Sequence, residues 1–97
     1  MPHTVRVRAS LAKHLLSSGD QDLRRRIGIL RELPFPPGSR SLAADDELHE
    51  LATEFPARIP FVYGSADNAL VYTYDSSEQV VRIEFAIAGG QIVGRAG

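Results

Sequence analysis

The chain has no cysteine, so disulfides and thiolate metal sites are excluded. No apolar run approaches the roughly 20 residues that a membrane-spanning helix needs, and Met1, Pro2, His3 and Thr4 do not open a signal peptide. A cytoplasmic protein with no membrane contact is the expectation. No Gly-rich loop opens a helix after a strand, so no phosphate cradle of that kind is expected. No GxSxG is present, and His3, His14 and His49 lack metal-ligand spacing among themselves. No cofactor and no metal are therefore expected. There is no excess of one charge: the net value is −1. That argues against nucleic-acid binding by bulk attraction. There are no internal repeats and no low-complexity segments.

What is there is ordinary for one globular domain of 97 residues, with 43% hydrophobic and 24% charged residues. A chain of this size buries about 60 to 70 per cent of its unfolded surface, enough for one modest core. The charges are unevenly placed. Eight of the eleven basic residues precede position 41, and acidic residues crowd residues 45–54. A basic face and an acidic face can coexist in a neutral chain. The acidic run could hold a divalent ion, but such runs more often form a solvated face or a helix start.

Residues 69–87, ALVYTYDSSEQVVRIEFAI, carry the clearest pattern. Leu70, Tyr72 and Tyr74 alternate with Val71 and Thr73. Val81, Ile83, Phe85 and Ile87 alternate with Arg82 and Glu84. Period-two alternation in β-branched and aromatic residues predicts two strands, and Asp75, Ser76, Ser77 and Glu78 suit the hairpin loop. A lone hairpin is marginal in water, so its apolar face needs a cover.

The first third of the chain supplies one. Residues 4–8 alternate as a short strand. Ser10 is placed as an N-cap, with Leu11, Ala12, Leu15 and Leu16 on one helical face and Gly19 at the end. Asp20 caps a second helix to about Leu33, where Pro34 stops it. Its stripe is Leu23, Ile27 and Leu30, widened by Ile29 and Leu33. The stripe should pack on Val81, Ile83 and Phe85. Arg24 and Arg31 share a face away from it. Arg26 falls beside the stripe, as a stem that snorkels to the rim or as a cation at the edge of a site.

Residues 35–39, Phe-Pro-Pro-Gly-Ser, form a loop. Residues 41–55 fit a helix through Leu48, Leu51, Ala52 and Phe55, and also a strand through His49, Leu51, Thr53 and Phe55. Residues 58–63 are strand-like but interrupted by Pro60. Residues 64–68 form a turn. Gln91, Ile92 and Val93 add a short strand before a tail of Arg95, Ala96 and Gly97.

The order of these pieces resembles the RelE/ParE superfamily of toxins from type II toxin–antitoxin pairs. VRVRASLAKHLL, LRRRIGILRELPFPPGSRSL, LHEL, RIPFVYG and LVYTYDSSEQVVRIEFAI carry the resemblance, which covers nearly the whole chain. It implies an α+β fold in one domain over residues 1–97. Two N-terminal helices would pack on a twisted, mainly antiparallel sheet of about four or five strands. It also implies a strand around LHEL. The chain departs from the family's pattern at Ala69, where an arginine is common, and at Pro60, where a second arginine would follow Arg58. It has no C-terminal tyrosine.

Activity of the RelE kind is ribosome-dependent cleavage of messenger RNA, in which a 2′-hydroxyl attacks the adjacent phosphate. Cations must then meet the charge developing on phosphorus. The resemblance implies Arg58, Arg82 and Arg95 for that role. Tyr72 or Tyr74 would stack on a base or donate a proton. Arg82 should project on the side opposite the helices. The alternatives are a ParE-like toxin that binds DNA gyrase, and an interaction module of the same fold without activity. Each would bind a cognate antitoxin, with Arg24, Arg26 and Arg31 as the contact row.

Overall fold

The computed structural model describes residues 3–35, 37 and 40–95. The expected hairpin is the middle of its sheet. Ten elements follow in order: β1 (Thr4–Val7), α1 (Ala9–Ser18), α2 (Gln21–Glu32), β2 (Arg40–Ser41), 3₁₀ turns at Leu42–Ala44 and His49–Glu54, β3 (Phe61–Gly64), β4 (Asn68–Asp75), β5 (Val80–Ala88) and β6 (Gln91–Val93). The fold is α+β, with one open, mostly antiparallel sheet ordered β1-β5-β4-β3-β2. The exception is β1, which runs parallel to β5 with Thr4 opposite Val80 and Val7 opposite Ile83. β6 pairs with β5 further along, at Ala86, Ile87 and Ala88.

The helix ends follow the local chemistry. Gly19 closes α1 in the left-handed region at φ 64°. The Asp20 side chain accepts the Leu23 backbone N–H at 3.0 Å and so caps α2. Ser10 is not a cap. Arg8 holds that position without a side-chain bond, and the Ser10 hydroxyl donates to the Gly94 carbonyl instead. Gly94 must be glycine there: at φ 77° an added Cβ would lie 2.5 Å from a Leu11 methyl.

The sheet is apolar on both sides. On one side Leu11 and Leu15 of α1 and Leu23, Ile27 and Leu30 of α2 form a buried cluster with Leu70, Tyr72, Val81, Ile83 and Ala86. On the other side Leu42, Val62, Ala69, Val71, Phe85 and Ile87 cluster beneath Leu48, Leu51, Ala52 and Phe55.

Phe85 and Ile87 therefore do not share the face of Val81 and Ile83, as the alternation predicts. Val71 pairs with Phe85, but the next β4 residue, Tyr72, pairs with Ile83. Glu84 is an extra residue with no opposite number: a β-bulge. The bulge shifts the alternation by one and sends Phe85 across the sheet. The stretch around LHEL is not a strand either; His49–Glu54 is 3₁₀. It lies over the second apolar face, and its half-buried Leu51 and Ala52 follow the helical spacing rather than the alternating one. Leu16 is 80% exposed, so the α1 stripe is Leu11 and Leu15 alone. Pro60 lies just before β3, where its carbonyl accepts the Leu42 N–H at 3.0 Å. Of the loop placed at residues 35–39, Pro36, Gly38 and Ser39 lie outside the described residues, as do Ala96 and Gly97 of the tail.

Candidate functional site

The arginines of β1 and β5 reach one face of the sheet. Val5 and Val7 pack in the helix-side cluster, so their neighbours Arg6 and Arg8 turn the other way. Arg6 stands opposite Arg82 across the parallel pair. The Arg8 backbone N–H bonds the Ile83 carbonyl at 3.0 Å, which sets Arg8 beside the bulged Glu84.

A cleft of about 250 Å³ opens on this face. Its charged lining is Arg8, Arg58 and Arg82 with Glu54 and Glu84, and Phe55 adds an aromatic wall. The segment 55–60 carries Arg58 to the cleft, between Pro56 and Pro60. Arg58 and Arg82 make no ion pair among the described residues, whereas Arg8 lies 3.6 Å from Glu84. Arg95 pairs with Glu54 at 3.0 Å, at the border of the cleft. Arg95 is thus held by an ion pair rather than belonging to a free tail.

Glu84 is the buried member of this set, its side chain 10% exposed. Its Oε2 accepts the Thr73 hydroxyl at 3.0 Å. Its Oε1 faces Arg8 at a distance too long for a hydrogen bond. Neither Arg8 nor Glu84 is singled out by sequence pattern, and Glu54 appears there only as the end of the acidic run. Arg8 could have been, because the VRVR alternation puts Arg6 and Arg8 on the face opposite Val5 and Val7.

Three of the four residues expected to act on RNA, Arg58, Arg82 and Arg95, thus come together in and beside one cleft. Tyr72 does not. It is fully buried on the α1 and α2 side, and its hydroxyl donates to the Pro37 carbonyl at 3.2 Å. Tyr74 also belongs to that side, with ring centroids 5.0 Å from Phe61 and 5.4 Å from Phe35.

The row on α2 is dispersed. Arg24 donates to the Leu15 carbonyl at 3.0 Å and so covers the C-terminal end of α1. Arg26 pairs with Asp22 at 2.9 Å, and its side chain is 23% exposed at the rim of a recess that includes Ile29 and Tyr63. Arg31 is exposed and unpaired among the described residues.

Outside the cleft lining, two carboxylates hold loops in place. Burial pushes the Asp45 carboxyl up, but this is outweighed by the Arg40 guanidinium and the Leu48 and Glu47 N–H groups, which hold it below the ordinary carboxylate value. The Asp75 carboxyl is lowered chiefly by the Ser77 hydroxyl, with Arg58 a smaller contributor.

Among the described residues no three histidines or carboxylates gather as a metal site, and no helix is long and apolar enough to cross a membrane. No family model, characterised protein or solved structure matches the chain.

Proposed function

We propose that this chain is a RelE-like toxin of a type II toxin–antitoxin pair, acting in the cytoplasm as a ribosome-dependent messenger endonuclease. The observation that carries the reading is the cleft, where Arg58 and Arg82, without an ion pair among the described residues, meet Arg8 on the face away from α1 and α2. Converging guanidiniums suit a phosphodiester, whose backbone oxygens accept planar donor pairs and whose charge grows during transphosphorylation. The order of one strand, two helices and then strands ending in a long hairpin supports the same reading.

A second reading has its own observation. Glu54 and Glu84 neutralise part of the basic cleft, and Tyr72 is buried on the far side. Both features suit a ParE-like toxin that binds DNA gyrase, or a binding module of this fold without activity, better than a nuclease that needs a tyrosine. On every one of these readings the cognate antitoxin is the partner. Its acidic or amphipathic segment would meet the exposed face of α2 around Arg31.

Induced expression in bacteria, with separate labelling of protein and DNA synthesis, tests the proposal. An immediate halt of protein synthesis, with messenger cut on purified ribosomes, is the expected result. A halt of DNA synthesis alone replaces it by the gyrase reading. Normal growth leaves the binding module.

A further inference from the structure

We infer that Glu84 is the general base of the cleft, and that the β-bulge exists to aim it there. This rests on the endonuclease reading of the same site. Bulges are frequent beside active sites because they redirect a side chain without ending a strand. Here the bulged residue itself carries a carboxylate into a cleft lined by three arginines. The two cleft carboxylates differ in their freedom. Glu54 is committed to Arg95 at 3.0 Å. Glu84 is held by a hydrogen bond at one oxygen only: Oε2 takes the Thr73 hydroxyl, while Oε1 faces Arg8 at 3.6 Å, an ion-pair distance too long for a hydrogen bond, and has no hydrogen-bond donor among the described residues. A base needs that combination of a fixed carboxyl group and an unspent lone pair. Thr73 is a positioning residue, fully buried and fixed opposite Arg82 in the hairpin.

The step balances without a cofactor. The ribose 2′-hydroxyl gives its proton to Glu84 Oε1. Its oxygen forms a bond to phosphorus as the bond from phosphorus to the 5′-oxygen breaks. The electron pair leaves on the 5′-oxygen, which takes a proton from water in the open cleft, and Glu84 returns its proton to solvent. The products are a 2′,3′-cyclic phosphate and a 5′-hydroxyl. Arg58 and Arg82 meet the charge on the non-bridging oxygens.

The test is cleavage of a defined messenger on purified ribosomes by the full chain. Glu84→Gln, which can still accept the Thr73 hydroxyl, should lower kcat by about 10²- to 10⁴-fold. KM should stay unchanged, and the acidic limb of the pH–rate profile should disappear. A messenger with a 2′-deoxyribose at the cut position should bind and resist cleavage. Thr73→Val should lower kcat by less and keep the acidic limb. If Glu84→Gln fails to fold by circular dichroism, Glu84→Asp takes its place, with a reduced kcat and the limb retained. An active wild type whose Glu84→Gln or Glu84→Asp variant keeps full kcat overturns this inference alone, as does cleavage of the deoxy messenger. A wild type inactive on ribosomes overturns the endonuclease reading and this inference with it.

Discussion

Phe85 stacks on Phe55, ring centroids 6.0 Å apart and planes 24° from parallel, on the opposite side of the sheet from α2. Phe85 is 1% exposed, so Phe85→Ala should cost about 3 to 5 kcal/mol. The partner of that loss is now specific. A double-mutant cycle with Phe55 should give a coupling of about 0.5 to 1.5 kcal/mol, the range for aromatic pairs. The same cycle with Ile27 should be additive within about 0.5 kcal/mol. Urea titrations measure both. Coupling to Ile27 instead would return Phe85 to the helix side.

Asp45 ties Arg40 and residues 47–48 together beneath the 3₁₀ segments. Its folded-state value is lowered, so its contribution is fully present above the unfolded value of about 3.9. It is lost as pH falls through the lower folded value. Wild type should therefore lose more stability than Asp45→Asn between about pH 6 and pH 3. At neutral pH the substitution should cost about 1.5 to 3 kcal/mol, the range for hydrogen bonds to a charged group. Equal acid sensitivity of the two proteins would remove Asp45 from the acid transition.

On the endonuclease reading, the cleft arginines that make no ion pair among the described residues, Arg58 and Arg82, should dominate catalysis. Arg58→Ala and Arg82→Ala should each lower messenger cleavage by about 10²- to 10³-fold, with unchanged melting temperature. Arg95→Ala should matter less, because its guanidinium is engaged with Glu54. Rates on purified ribosomes decide the order; an Arg95 effect larger than that of Arg82 would move the centre of the site to the rim.

On the proposed reading, partner binding and helix capping fall to different arginines of α2. On the proposed toxin reading, Arg31→Glu should weaken binding of a cognate antitoxin, more at low salt than at high salt, and change stability by less than about 0.5 kcal/mol. Arg24→Glu should cost about 0.3 to 1 kcal/mol of stability, because it places a negative charge at the C-terminal end of α1. Calorimetry of binding and thermal melts measure the two effects independently. Unchanged affinity in Arg31→Glu would place the partner elsewhere.

Much of the fold is legible in local chemistry. Gly19, Asp20 and the Leu23, Ile27 and Leu30 stripe act within one or two turns, so neighbouring residues suffice to predict them. The bulge at Glu84 is not legible, since Val81, Ile83, Phe85 and Ile87 alternate without a break. Which residue is extra depends on the partner strand, where Val71 and Tyr72 set the register. Residues 41–55 carry both periodicities, and the second apolar face, to which the bulge adds Phe85 and Ile87, decides between them. Arg58 and Arg82 are the readable part of the cleft. Glu84 is hidden behind the bulge, and Arg24 behind a helix end that only tertiary packing brings near.

The parallel pairing of β1 with β5 also sets an order of events in time. Thr4 can meet Val80 only after all the chain between them is present. Closing so long a loop costs entropy before any contact repays it, and pairing of this kind slows folding relative to local helices and hairpins. Residues emerge from the ribosome N-terminus first. α1 and α2 can coil as soon as they are made, and β4 can pair with β5 across a short turn. Val5 and Val7, made before all of these, have no strand to join until β5 exists. β1 is therefore made well before β5 and can dock only after it.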